Sequence, residues 1–285
     1  MDFRRVKTLL IVVFLLLNLF LGYQWHGLQP SVSIYTEPYA DQVANLQRTF
    51  AANNITLKAS VPLAQPSMFL LRAQTNPRQF LAAAALALDI KPQQASAHLR
   101  GSREVKTRAG RFVMNEHGQY RLYIDSRYQP LIPRGRDGAA FVRKWLSKHV
   151  IDFGTYETLS WKLSGGRGIA SFAEFFGGYP IFSAPLQVYM ENDRIIGYSQ
   201  TALEVVGSLD QRPVIGAASA LLALAAFVDK AHINMDNTIQ SIRLGYDSRL
   251  ALGDTWYVTP VWQVDSSRSV FEINAFTAET GVGAS

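Results

Sequence analysis

The sequence predicts an α+β protein, a single N-terminal transmembrane helix followed by two antiparallel-sheet-plus-helix units. Three observations carry this expectation. An uncharged apolar run at residues 8–23 follows a basic stub. Segments with apolar residues three and four apart alternate with runs of alternating polarity. Those runs succeed one another across hairpin-type turns, without the strand-helix-strand repeat that a parallel sheet needs. The 285 residues, 48% hydrophobic and 18% charged, suffice for a sizeable core. The absence of cysteine excludes disulfides, thiolate zinc sites, iron–sulfur clusters and thiol nucleophiles.

The anchor comes first. After Arg4, Arg5 and Lys7, residues 8–23 hold only Thr8 and Asn18 as clearly polar side chains. A helix of that length rises about 24 Å, and the Lys7 stem and Trp25 extend it towards the roughly 30 Å hydrocarbon core. Tyr23 and Trp25 suit an interfacial belt, and the one-sided basic residues place the N-terminus in the cytoplasm and the bulk of the chain outside. The residues after the run offer no pair of small side chains at signal-peptidase spacing, which favours an uncleaved anchor. Asn18 lies mid-span, where its amide either bonds its own helical turn or meets a partner helix.

Residues 29–150 read as the first unit. Val43, Leu46 and Phe50 define an amphipathic helix over 37–52, stopped by Asn53-Asn54. Residues 55–61 and 68–72 are strand-like. Asn76-Pro77 opens an alanine-rich helix closed before Pro92, and residues 111–114 and 119–124 form a hairpin about Glu116-His117-Gly118. A helix over 139–149, with Phe141, Trp145 and Leu146 on one face, is the expected joint. Residues 151–285 form the second unit: strands at 156–163, 169–176, 181–190 and 195–206, a helix at 214–230, and strands at 238–246, 256–264 and 269–275. Gly165-Gly166, Gly177-Gly178 and Asn192-Asp193 mark turns of a meander.

The formal charge of +6 is unevenly spread: residues 100–148 carry +8 and residues 165–285 carry −5. Arg100, Arg103, Lys106, Arg108 and Arg111, followed by Arg121, Arg127, Arg134 and Arg136, are interleaved with Tyr120, Tyr123 and Tyr128. Inside a cell this pattern suggests nucleic acid. Outside the membrane no nucleic acid is expected, and an anionic envelope polymer, a headgroup layer or an acidic protein surface is the matching partner. A solvated face is the plainer alternative.

No chemistry of catalysis stands out. The five histidines are scattered singly, and no nucleophile elbow, phosphate loop or Ser-x-x-Lys set occurs. No cofactor or metal is expected. Asp152 with Glu157, or Glu191 with Asp193, are carboxylate pairs whose spatial relation the sequence leaves open. An envelope hydrolase, or an extracytoplasmic ligand-binding or peptidase-inhibiting module, therefore stays as an alternative.

The opening MDFRRVKTLLIVVFLLLNLFLGYQ, the run FFGGYPIF with LQVYMENDRIIGYSQT, and the close IRLGYD, WYVTPVWQV and FEINAFTAETG together resemble the YycI (WalI) family of Gram-positive bacteria. The resemblance implies a non-enzymatic, single-pass membrane protein of a cell-wall two-component system. It would modulate the sensor histidine kinase YycG/WalK together with its sister protein YycH, the membrane helix touching the kinase. On that implication Leu16, Asn18 and Leu19 are the candidate transmembrane contacts. The close also resembles PepSY modules at Pro260, Trp262, Asn274, Ala275 and Gly281, where Trp262 is expected to anchor a core and Asn274 to form a turn.

Overall fold

The structure, a computed structural model, describes residues 39–53, 55–75, 79–101, 103–116, 118–133, 137–201, 203–231, 238–252, 255–266 and 269–282, with Phe14, Leu15, Leu17 and Asn18. It divides into residues 1–45 and a compact body over 46–285. In chain order the elements are α1 Tyr39–Ala52, β1 Thr56–Leu57, β2 Ser67–Thr75, α2 Phe80–Ala87, α3 Pro92–Ala97, β3 Leu99–Arg100, β4 Glu104–Lys106, β5 Gly110–Met114 and β6 Gln119–Ile124. There follow α4 Asp137–His149, a 3-10 turn Phe153–Thr155, β7 Tyr156–Ser164, β8 Arg167–Phe176, β9 Tyr179–Glu191, β10 Arg194–Thr201 and β11 Leu203–Pro213. The chain continues with α5 Ala217–Ala231, β12 Thr238–Leu252, β13 Thr255–Ser266, β14 Val270–Asn274 and β15 Thr280–Val282. The fold is α+β and dominated by sheet.

Two hydrophobic clusters organise the body. One is built by β3 to β10, an antiparallel array in which β6 pairs β10 and the meander runs β7-β8-β9-β10. Helices α2, α3 and α4 cover one of its faces: Phe80, Ala84 and Ala95 meet Phe112 and Tyr120, and Val142, Trp145 and Leu146 belong to the same core. Val150 lies inside this cluster, so the joint expected near residue 150 falls within a core. The three tight turns of the meander each place two consecutive residues at positive φ, Gly165-Gly166, Gly177-Gly178 and Asn192-Asp193. Such turns match the right-handed twist of the flanking strands.

The other cluster takes chain from both ends of the body. Leu46 and Phe50 of α1, Leu71 and Ala73 of β2, the small face Ala217, Ala220, Leu221 and Leu224 of α5, and Trp262, Phe271 and Ile273 share it. Its sheet runs β11-β2-β13-β12, with β14 and β15 on the second half of β13 and β1 parallel to β12. Trp262 is 1% exposed, and its indole N–H donates to the Ile215 carbonyl at 2.9 Å, tying the approach to α5 onto the sheet. Asn274 Oδ1 accepts from the amides of Phe276 and Thr277, at 2.8 and 3.2 Å, and so closes the turn between β14 and β15. Both residues fill the expected roles.

Strand β9 joins the clusters. Its first half puts Ile181 and Ala184 into one core, and its second half puts Leu186, Val188 and Met190 into the other. At Ile181 it lies parallel to β12, opposite Tyr246. Gly245 makes this approach possible, since a Cβ there would stand 2.6 Å from the Pro180 carbonyl and against the Phe182 ring.

One expectation changes, and short elements join those expected. Residues 195–206 are two strands: β10 stays with β9, whereas β11 crosses to pair β2. The alanine-rich helix closes before Pro92 as expected, and Pro92 itself opens α3, because proline lacks only an N–H that the first helical turn leaves unbonded. The Gln94 side chain accepts the Lys91 amide at 3.0 Å and completes that start. Strands β3, β4 and β15 also went unforeseen. Asn76-Pro77 lies outside the described residues, as does most of the apolar run at 8–23. Among the described residues no helix is long and apolar enough to cross a membrane.

Trp262→Ala should lower unfolding free energy by about 3–5 kcal/mol, since it opens a cavity and strands the Ile215 carbonyl; urea titration checks this. Gly245→Val should force β12 away from β9 and uncouple the two clusters, which would appear as two unfolding transitions in place of one.

Candidate functional site

The basic candidates fall on the array of β3 to β10. Arg100, Arg103, Lys106, Arg108 and Arg111 are all exposed, and the strand registers decide which of them act together. Lys106 on β4 faces Arg111 on β5, and Arg111 faces Tyr123 on β6. The same row continues through Gly197 on β10, Tyr189 on β9, Ile169 on β8 and Lys162 on β7. Directly opposed residues of antiparallel strands share a face, so these side chains line one side of the sheet. It is the side away from the helices: the alternate residues Phe112, Leu122, Tyr198, Val188 and Ala170 lie in the core.

The neighbouring row holds Arg100, Glu104, Val113, Arg121 and Ser199. Arg103 lies in the turn between β3 and β4, where its carbonyl accepts the Met114 amide at 2.9 Å. Arg108 diverges: with Leu88, Tyr128, Trp145 and His149 it lines a cleft of about 480 Å³ on the helical side. Of the five, Arg100, Lys106 and Arg111 thus share the bare face, and the two turns set Arg103 and Arg108 apart.

Aromatic groups complete the bare face. The Arg111 guanidinium sits 4.5 Å from the Tyr123 ring centroid, a cation–π contact. Arg121 donates to the Tyr123 hydroxyl at 3.4 Å. The Tyr189 hydroxyl donates to Gln187 Oε1 at 3.1 Å and takes the Ser199 hydroxyl proton at 2.9 Å. Between the two tyrosines β10 bulges at Ile196, and Gly197 forms a floor on which a Cβ would strike the Leu122 carbonyl. Arg121, Tyr123, Tyr189, Ile196 and Gly197 enclose a depression of about 270 Å³. Sequence reading noticed Arg121 and Tyr123 but missed Tyr189 and Gly197, because only the register of β9 and β10 brings them there.

A second, oppositely charged cleft of about 430 Å³ opens where β9 passes from one cluster to the other. Asp152, Glu174 and Glu204 line it beside Tyr156, Gln200, Phe176 and Ile181. Tyr156 is buried and accepts the Gln200 amide at 3.0 Å; desolvation pushes its phenol well above the ordinary value. Burial, and then the Asp152 charge, raise the Glu174 carboxyl above its usual range. Of the carboxylate pairs considered from sequence, Asp152 shares a cleft with Glu174 instead of Glu157, and Glu191 is held by Arg167 at 2.7 Å. Among the described residues no cluster of three or more metal-ligating side chains occurs.

At the N-terminus, the Asn18 amide donates to the Phe14 carbonyl at 2.9 Å, one turn earlier in its own helix. Leu16 and Leu19 lie outside the described residues.

The sequence model of the YycI protein family matches residues 37–276. No curated protein matches the chain. Among solved structures, a crystal structure of an uncharacterized protein from Eubacterium rectale shares the fold, with a TM-score of 0.52 and 8% identity over 84% of this chain and 98% of that one. The C-terminal domain of Bacillus megaterium YpeB aligns at a TM-score of 0.35 and 14% identity, over 74% of this chain and 99% of that domain.

A carboxyl raised in the folded state holds its proton more tightly than in the unfolded chain. The stability linked to Glu174 is therefore greatest at low pH and declines as pH rises through the carboxylate range. Glu174→Gln should be more stable than the parent at pH 7, and the difference should vanish below about pH 4; urea midpoints across pH measure it.

Proposed function

The chain belongs to the YycI family, a family of regulators associated with the YycG/WalK system and not known for catalysis, and from that premise we propose that it is a membrane-anchored regulator of this sensor histidine kinase. In this reading residues 6–23 span the membrane with the N-terminus in the cytoplasm. Residues 29–285 stand outside, where they bind a YycH-type sister protein. The observation that carries the proposal is the family match over residues 37–276, preceded in the chain by the apolar run at residues 8–23 behind its basic stub.

Asn18 supplies the chemistry of the membrane contact. An amide that gives one N–H to its own turn still carries a second N–H and an acceptor oxygen. In hydrocarbon, such groups add about 0.6–2 kcal/mol per bond to helix pairing. Leu16 and Leu19, three residues apart on either side of it in sequence, would supply the packing.

The test is a mild-detergent co-purification of the full-length protein from native membranes, beside a version whose first 28 residues are replaced by an unrelated anchor. The kinase and the sister protein should both accompany the native form, and the sister protein alone should accompany the foreign anchor. Recovery of neither from the native form would overturn the proposal. Replacing Leu16, Asn18 and Leu19 with other apolar residues should change kinase output several-fold at equal expression and equal membrane insertion. An unchanged reporter would remove the helix from the mechanism.

A further inference from the structure

The bare face of the β3 to β10 array carries groups that its role in the fold does not use. Arg100, Lys106, Arg111, Arg121 and Lys162 project from it, with Glu104 among them and the ion-paired Arg167 and Glu191 towards one end of the same face. None of these five cations forms an ion pair with a described carboxylate, although Arg167 on the same face, and Arg127, Arg212 and Arg243 elsewhere, each do. Lys106 and Lys162 mark the ends of a row that crosses seven strands. Six spacings of about 4.8 Å make that row about 29 Å long.

At its centre lies the slot walled by Tyr123 and Tyr189 above Gly197. The two tyrosines stand two strand spacings apart, about 10 Å between backbones. Two rings at that separation leave room for one ring-sized unit. Arg111 already occupies one side of Tyr123, Arg121 brings its guanidinium to the rim, and Gln187 and the buried Ser199 hold the Tyr189 hydroxyl.

We propose that this face binds a linear anionic saccharide, one sugar ring seated in the Tyr123–Tyr189 slot over Gly197 and the flanking acidic groups on Arg111, Arg121, Lys106 and Lys162. Each part of the site fits that chemistry. A sugar presents an apolar face to a tyrosine ring and hydroxyls to amide, hydroxyl and guanidinium groups. Its carboxylate or phosphate takes the planar guanidinium fork. An extended polyanion can neutralise cations spread over about 29 Å, which a compact ligand cannot reach. An acidic peptide suits the face less well: peptides bind by adding a strand to a sheet edge or by presenting a short acidic motif to a compact Arg cluster, whereas every strand at the centre of this row is paired on both sides and the cations are spread along its length. The proposal does not depend on the kinase reading, since it concerns one sheet face alone.

The test titrates the full-length protein in detergent with a galacturonate hexamer, beside a neutral galactose hexamer and polyglutamate of matched charge, at low and physiological salt. The galacturonate should bind with an affinity that falls as salt rises, and the neutral hexamer should be at least tenfold weaker. Tyr123→Ala and Tyr189→Ala should each weaken galacturonate binding about tenfold. Arg111→Ala and Arg121→Ala should weaken it and flatten the salt dependence, whereas Lys58→Ala, an exposed cation elsewhere, should change nothing. Tyr123 is 39% exposed, so its variant should keep the parent melting temperature, and a melting curve confirms folding for each variant. Polyglutamate binding as tightly, and indifferently to both tyrosines, would make the face an acidic-protein surface and overturn the proposal. Absence of galacturonate binding at low salt would overturn it equally.

Discussion

The fold depends on one strand serving two cores. Over thirteen residues β9 buries alternate side chains in one cluster and then in the other. Its partner on one edge changes accordingly: β10 pairs it from Leu186 onward, and β12 meets it only at Ile181. Between those points the edge has no ladder partner, and there the sequence places Pro185, which on the other edge stands opposite Ala173 of β8. Loss of the β12 contact would leave each cluster with its own helices but no shared strand, so Gly245 and the Pro180 carbonyl hold the two halves in one body.

The same handover creates the acidic cleft. Where β10 ends at Thr201 and β11 departs to join β2, a gap opens beside β9 that neither core fills. Buried polar groups border it. The Gln200 amide donates to Tyr156 at its wall, and two residues earlier on β10 the Tyr198 hydroxyl donates to the His149 carbonyl at 3.0 Å. These inward-facing polar side chains of β10 fix the end of α4 and the start of β7. Unmet, each would cost about 1–3 kcal/mol, so the network specifies one packing of helix and edge strand over its alternatives. Trp145, stacked on His149 and edge-on to Tyr198, fills the space around it.

What the sequence discloses follows from which interactions are local. The meander was legible because each of its turns must reverse the chain within two residues, and only glycine, asparagine or aspartate enters positive φ readily. The amphipathic helices were legible from their spacing. The split of residues 195–206 was not, because apolar residues run through it and the reason for the break is the handover at β9, a tertiary pairing with no local signal. Pairings of β6 with β10 and of β2 with β11 and β13 likewise span long stretches of chain. The site behaves the same way. Lys106 and Arg111 could be named from the basic run, and they do face one another. Arg108 belongs to the same run yet sits over the helical side. Tyr189 and Gly197 carry no local sign of their place, which exists only once β9, β10 and β6 are in register.

An antiparallel sheet with helices on one side has a face that packing does not determine. In this chain the covered face is committed to Phe112, Leu122, Tyr198 and Val188, and the strands that carry them position the bare-face residues as rigidly as the core itself. A cation on a loop would have to be ordered when it met a ligand. Arg111, Arg121 and the two tyrosines are held instead by a ladder whose register the buried residues enforce, because a slip by one residue would turn Phe112 and Leu122 outward. The hydrophobic core therefore sets the spacing of the basic and aromatic row. Its geometry is that of the strand repeat, and a ligand that fits it has to match a spacing of about 4.8 Å or its multiples.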